Sequence, residues 1–168
     1  MALTLWLFVK CVTVSRNRLM GIGKPEDLLY MDIDEVFLVD MDALTRYKLS
    51  FHFYREISRF CEVTVLNMPA RVQDLIDTLV SGASRVVVGR DVDSRLLSGF
   101  MQVSDSVVLS LVSRNLVDEF IRLGGGDFFS LGQTDIAFRT LYNAGPPVIR
   151  EGVKNIEDFP EGAVPYLQ

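Results

Sequence analysis

The chain has 168 residues, enough for one domain that buries roughly 70% of the surface its unfolded form exposes. A hydrophobic fraction of 49% and a charged fraction of 23% support a core without disulfides or a structural metal. The net charge of −5 argues against non-specific nucleic-acid binding, which needs a basic surface.

The apolar opening "LTLWLFVKCVTV" (3–14) reads as a first strand, or as a hairpin across the same residues. It does not read as a signal peptide, since it lacks a basic n-region and Lys10 interrupts the apolar run. No stretch reaches the ~18 apolar residues of a membrane span, so the expected location is cytoplasmic. "SRNRLMGIGK" (15–24) is a basic loop, and "PEDLLYMD" (25–32) offers only a short first helix. Residues 36–40, "VFLVD", read as the second strand. In "RYKLSFHFYREISRF" (46–60), Leu49, Phe53, Ile57 and Phe60 recur at spacings of three and four, the period of a helix with one buried face. "EVTVLN" (62–67) is the third strand. Val72, Leu75, Ile76, Leu79 and Val80 then form another helical stripe, and Gly82 stands where a left-handed residue would stop it. "RVVVG" (85–89) and "SVVLSLV" (106–112) follow as strands four and five. "LVDEFIRLGGGDFFSLG" (116–132) reads as a short helix, a triple-glycine turn and a strand from near Phe128. "PVIR" (147–150) and "GAVPYLQ" (162–168) complete the count.

Near-continuous apolar strands alternating with amphipathic helices imply parallel strands covered by crossovers. Up to eight strands in βα order make the expected fold α/β, a compact (β/α)8 TIM-type barrel over residues 1–168 with a short first helix and no eighth helix. An open doubly wound sheet is the alternative, since such barrels usually need at least ~200 residues.

"VFLVDMDA" (36–43), "SGASRVVVGRDVDS" (81–94) and "PPVIREGVKNIEDF" (146–159) together resemble the HisA/HisF-like barrel family. Its type is phosphoribosylformimino-aminoimidazole carboxamide ribotide isomerase, and the likeness is closer to an archaeal-type HisA-related branch. The resemblance implies an aldose–ketose rearrangement on a doubly phosphorylated substrate, with one carboxyl group protonating the ring oxygen and another removing the C2 proton. It also implies aspartates at the ends of strands one and five. Here residues 1–25 contain no acid, and Ser110 or Ser113 stands where the second aspartate would be. A serine without a positioned base cannot abstract a carbon-bound proton. Phosphate loops are altered too: "LNMPAR" (66–71) includes Pro69, which has no N–H to offer an anion, and "REGV" (150–153) keeps Gly152 behind Glu151.

No catalytic residue is assigned. Asp40 and Asp42 match the family's Asp-x-Asp after strand two and are read as framework acids, with ligand contact or catalysis as the alternatives. Gly89, Arg90, Arg114, Arg150 and Gly152 are the candidate anion-binding residues. The three arginines each follow an expected strand and so fall on one rim, where they would grip an anion or pair with Asp40, Asp42, Asp91, Asp93 and Glu151. His52 and the isolated Cys11 and Cys61 suggest neither a metal site nor a triad, and no cofactor is implied. The basic loop 15–24 is either a solvated loop or a lid.

Two functions follow: a non-catalytic binding or interaction subunit, or a sugar-phosphate isomerase or lyase that uses Asp40 or Asp42 as base and the arginines as phosphate grip. An anionic or phosphorylated small molecule is the expected ligand. Without an eighth helix, a seam beside Leu5, Leu7, Val164 and Tyr166 would expose apolar surface and lead to a homodimer or a partner subunit.

Overall fold

The computed structural model describes residues 8–168. Eight parallel strands close on themselves in the order β1 (Phe8–Ser15), β3 (Glu35–Asp40), β4 (Glu62–Leu66), β5 (Arg85–Val88), β6 (Val107–Ser110), β7 (Asp127–Ser130), β8 (Thr140–Asn143) and β9 (Val153–Glu157), with β9 pairing back to β1. The chain is therefore an α/β TIM-type barrel. The hairpin expected near the N-terminus forms further along: β2 (Arg18–Met20) folds back antiparallel on the second half of β1. Its turn uses Arg16 and Asn17, at φ 52° and 59°, the paired left-handed residues of a tight hairpin.

Helices cover one side. α1 (Asp27–Tyr30) is short, α2 (Met41–Arg46) and α3 (Phe51–Ser58) both follow β3, and α4 (Val72–Val80), α5 (Ser94–Val103) and α6 (Val117–Arg122) follow β4, β5 and β6. α4 ends as its sequence implies: Gly82 adopts φ +117° and its N–H donates to the Leu79 carbonyl, while the N–H of Ala83 reaches Thr78. Loops replace helices between β7 and β8 and between β8 and β9, and a 3-10 turn (Glu161–Tyr166) follows β9. Short strands and missing crossover helices let a barrel close in so few residues.

The alternation of side chains splits the apolar residues into two layers. Val36, Leu38, Val63, Val65, Val86, Val88, Val107 and Leu109 face outward under the helices. Phe37, Val39, Leu66, Val87, Val108, Phe129, Tyr142 and Ile156 fill the lumen. Near the strand N-termini the lumen turns polar: Lys154 Nζ lies 2.6 Å from Glu35 Oε1, and Tyr142 donates to Glu35 Oε2 at 3.0 Å.

Two expected strands lie elsewhere. "PVIR" (147–150) is a loop, and strands seven and eight of the barrel are β8 and β9. Pro146 and Pro147 bring no N–H to a ladder. Val148 instead bonds the side chain of Asn155, its N–H donating to Oδ1 at 2.9 Å and its carbonyl accepting from Nδ2 at 3.0 Å. "GAVPYLQ" is mostly the 3-10 turn, with Pro165 inside it.

Candidate functional site

Barrels of this architecture carry their chemistry at the C-terminal ends of the strands. Here that mouth is filled by the protein's own chain. After β9, Phe159 enters among the lumen aromatics, its ring 5.6 Å from Phe129 and 6.4 Å from Phe37. Ala163 and Leu167 follow it down and are fully buried in the same cluster. Arg90, at the end of β5, holds this segment: its Nη1 donates to the carbonyls of Leu44 at 2.7 Å and Tyr166 at 2.9 Å. Its guanidinium also lies 5.0 Å from the centre of the Tyr47 ring. This deeply buried cation is held by carbonyls and a π-face, with no carboxylate partner among the described residues.

Asp40 is the last residue of β3 and, counting from the lumen-facing Phe37 and Val39, faces away from the lumen. It caps α2 by accepting the N–H of Ala43 at 3.1 Å, and it takes the N–H of Ser50 at 2.9 Å. The hydroxyls of Ser50 and Tyr54 donate to it as well. Burial raises its pKa above the usual carboxylate value, against the pull of these donors. The same burial, with Asp40 beside it, pushes the Tyr54 phenol well up. Asp42 holds the β1–β2 turn, accepting the N–H groups of Arg16 at 2.7 Å and Asn17 at 2.8 Å, and it pairs with Arg46. Burial works to raise its pKa, but the Asn17 N–H, Arg46 and the Arg16 N–H outweigh it and leave it lowered. The first part of the basic loop 15–24 is thus a hairpin whose turn is pinned to α2.

The expected ring of arginines does not form. Arg114 is exposed in the 3-10 turn after β6. Arg150 and Gly152 precede β9, so they sit at the opposite, N-terminal rim; Arg150 lies exposed over the Phe138 ring at 4.6 Å. The reason is the displaced strand: a residue expected to follow a strand in fact leads into one. Nor do Arg90, Arg114 and Arg150 pair with Asp91, Asp93 or Glu151; the ion pairs among the described residues are Arg46–Asp42, Arg71–Asp74, Arg139–Asp127 and Lys154–Glu35. Asp93 instead caps α5 by accepting from Leu96 N–H. Gly89 does lie at the mouth, but packed: a Cβ there would meet Ser113 Oγ at 3.0 Å and Ser110 Cβ at 3.2 Å, and the Ser113 hydroxyl donates to the Gly89 carbonyl. Both serines that replace the expected aspartate are tied to the loop, since Ser110 Oγ accepts from Val112 N–H at 3.3 Å.

Cys11 is buried and its thiol pushed up to about 12, and Cys61 to about 11, by desolvation first in each case. Neither is a thiolate at neutral pH. His52 is exposed on α3 against Phe53. Among the described residues no three His, Cys, Asp or Glu side chains gather as metal ligands, and no helix is long and apolar enough to cross a membrane.

One group escaped the sequence reading. Asn67, just after β4, is 1% exposed and donates from Nδ2 to Tyr54 at 3.1 Å and to Thr78 at 3.0 Å. The "LNMPAR" segment was visible only as a failed phosphate loop; the amide network joining β3, α3, β4 and α4 has no local sequence signature. No protein-family model matches the sequence. No curated protein matches it either.

Proposed function

We propose that this barrel is a non-catalytic relative of the histidine-pathway isomerase, working as a binding or interaction subunit. One observation carries the reading: the face where such a barrel would hold its substrate is occupied by Phe159, Ala163 and Leu167, with Arg90 fastening the segment to α2. The absence of acids from residues 1–25 and the two serines near the end of β6 support it from the sequence side. The alternative, a sugar-phosphate isomerase or lyase built on Asp40 or Asp42, draws no support from carboxylates that already accept backbone N–H groups. A raised pKa suits a base only where a substrate can reach it, and Asp40 is fully buried.

The test is isomerisation of the pathway's aminoaldose substrate by the purified protein. We expect no ketose product above the uncatalysed background, since two acid–base groups that each contribute ~10²–10⁴-fold are missing. Growth of an isomerase-deficient strain rescued by this chain overturns the reading.

A further inference from the structure

We propose that the N-terminal end of the barrel binds a small zwitterion of the α-amino acid type. There a hollow of about 350 Å³ is lined by Glu62, Arg85, Asp105, Asp127 and Arg139, with Ser84 and Ser106. Each of these is the first residue of a strand or stands within two residues before one, and the parallel strands all begin at the same rim. The volume suits a small molecule, and a wholly polar lining selects one that is polar throughout.

Arg85 points to the ligand. It is half-buried, stands two residues before the lumen-facing Val87, and lies beside Thr64 in the ladder. Its guanidinium forms no ion pair or side-chain hydrogen bond among the described residues. None of its nitrogens is sealed from solvent, so a molecule in the hollow can reach them. The other cation is already taken: Arg139 donates to both carboxylate oxygens of Asp127, at 3.1 Å from Nε and 2.8 Å from Nη2. Opposite charges flank Arg85 without closing on it. Glu62 begins β4 on one side, and Asp105 leads into β6 on the other. Both are exposed, and neither forms an ion pair with Arg85.

This separation of charge selects the ligand. A bare anion would meet Arg85 but also the fields of Glu62 and Asp105, and a bare cation would meet those acids but be repelled by Arg85. A carboxylate and an ammonium on one small molecule satisfy both signs. The carboxylate oxygens accept from the guanidinium fork, and the ammonium donates towards Glu62 or Asp105. The hydroxyls of Ser84 and Ser106 can give or take a hydrogen bond at either end. The hollow lies at the opposite end of the barrel from the filled mouth, so the inference does not depend on whether the mouth is catalytic.

Glycine at pH 7 is the probe, with acetate and methylamine as its two half-molecules, each titrated into the ¹⁵N-labelled protein and followed by NMR. Glycine should give saturable shifts of the Ser84, Arg85 and Ser106 backbone amides, with a Kd of about 1–10 mM. Each half-molecule should bind about fivefold more weakly or worse. Arg85→Gln should abolish the saturable response. Glu62→Gln combined with Asp105→Asn, both at exposed sites, should weaken glycine about fivefold, and this variant still decides should Arg85→Gln not fold. No saturable shift, a half-molecule that matches glycine, or either variant binding as wild type overturns the proposal, and Arg85 is then met by water alone.

Discussion

Asp40 and Asp42, two residues apart, titrate in opposite directions because one is enclosed and the other is met by N–H groups at a turn. For Asp42 the folded pKa lies below the ordinary 3.8, so the unfolded chain binds the proton more readily. Its stabilisation is present above 3.8 and is lost as pH falls through the folded value. Asp40 has the reverse sign: its pKa is raised above 3.8, so stability declines as pH rises from 3.8 through its folded pKa. Asp42→Asn should therefore reduce stability by about 1 kcal/mol at pH 7 and narrow that gap towards acid pH, measured as the urea midpoint against pH. An unchanged midpoint at pH 7 would mean that the turn at Arg16 and Asn17 holds itself. Tyr54→Phe tests the same region from the other side. It removes a donor to Asp40 and an acceptor for Asn67, so a loss of about 1–3 kcal/mol in the same denaturation experiment is expected.

Among the elements, the segment after β9 is held by a few identifiable contacts. Arg90→Ala removes both hydrogen bonds from its guanidinium and should speed amide exchange in residues 161–167 by about tenfold, with β3 to β6 unchanged. Equal exchange in the variant would assign the hold to Phe159 and Leu167 alone. The strands differ in how visible they were in the sequence, and the reason is their surroundings. β3 to β6 are buried on both faces and each has an unbroken central run of Val, Leu, Phe or Thr, so a run of largely hydrophobic residues marks each one. β8 and β9 carry Thr140, Asn143, Lys154, Asn155 and Glu157, because they enclose polar contacts: Lys154 meets Glu35 in the lumen, and Asn143 donates to Asn155 at 2.9 Å. Polar residues on both faces, Lys154 in the lumen and Asn143 and Asn155 outside it against the Pro146–Val148 loop, break the pattern that identifies a parallel strand. "PVIR" had the right side chains, but its prolines could not supply a ladder. Moving one strand was enough to carry Arg150 and Gly152 to the wrong rim. The Asn67 network was invisible for another reason: it links residues 13 and 11 positions apart that become neighbours only once two helices dock on β4.

At the scale of the molecule, the expected seam is redrawn by the same segment. Leu5 and Leu7 lie outside the described residues, and Val164 and Tyr166 sit over the mouth rather than beside β1. Exposed apolar side chains remain, Tyr30 at 87%, Leu29 at 62% and Tyr166 at 42%. Self-association or docking to another subunit through such surface is still the expectation, and light scattering at roughly tens of micromolar should give twice the 18.9 kDa chain mass for a dimer. A monodisperse monomer would end that idea for the protein alone. The closure of the barrel bears on how it is made. Phe8 pairs with Asn155, so the first strand waits for the last before the ring is complete. At roughly 5–20 residues per second, a ribosome leaves the early strands with an unpaired edge for several seconds. The hairpin of β2 covers only the second half of β1 in the meantime. During that interval the nascent chain is an open sheet rather than a barrel, and part of one edge of β1 stays open to pairing with any other extended chain.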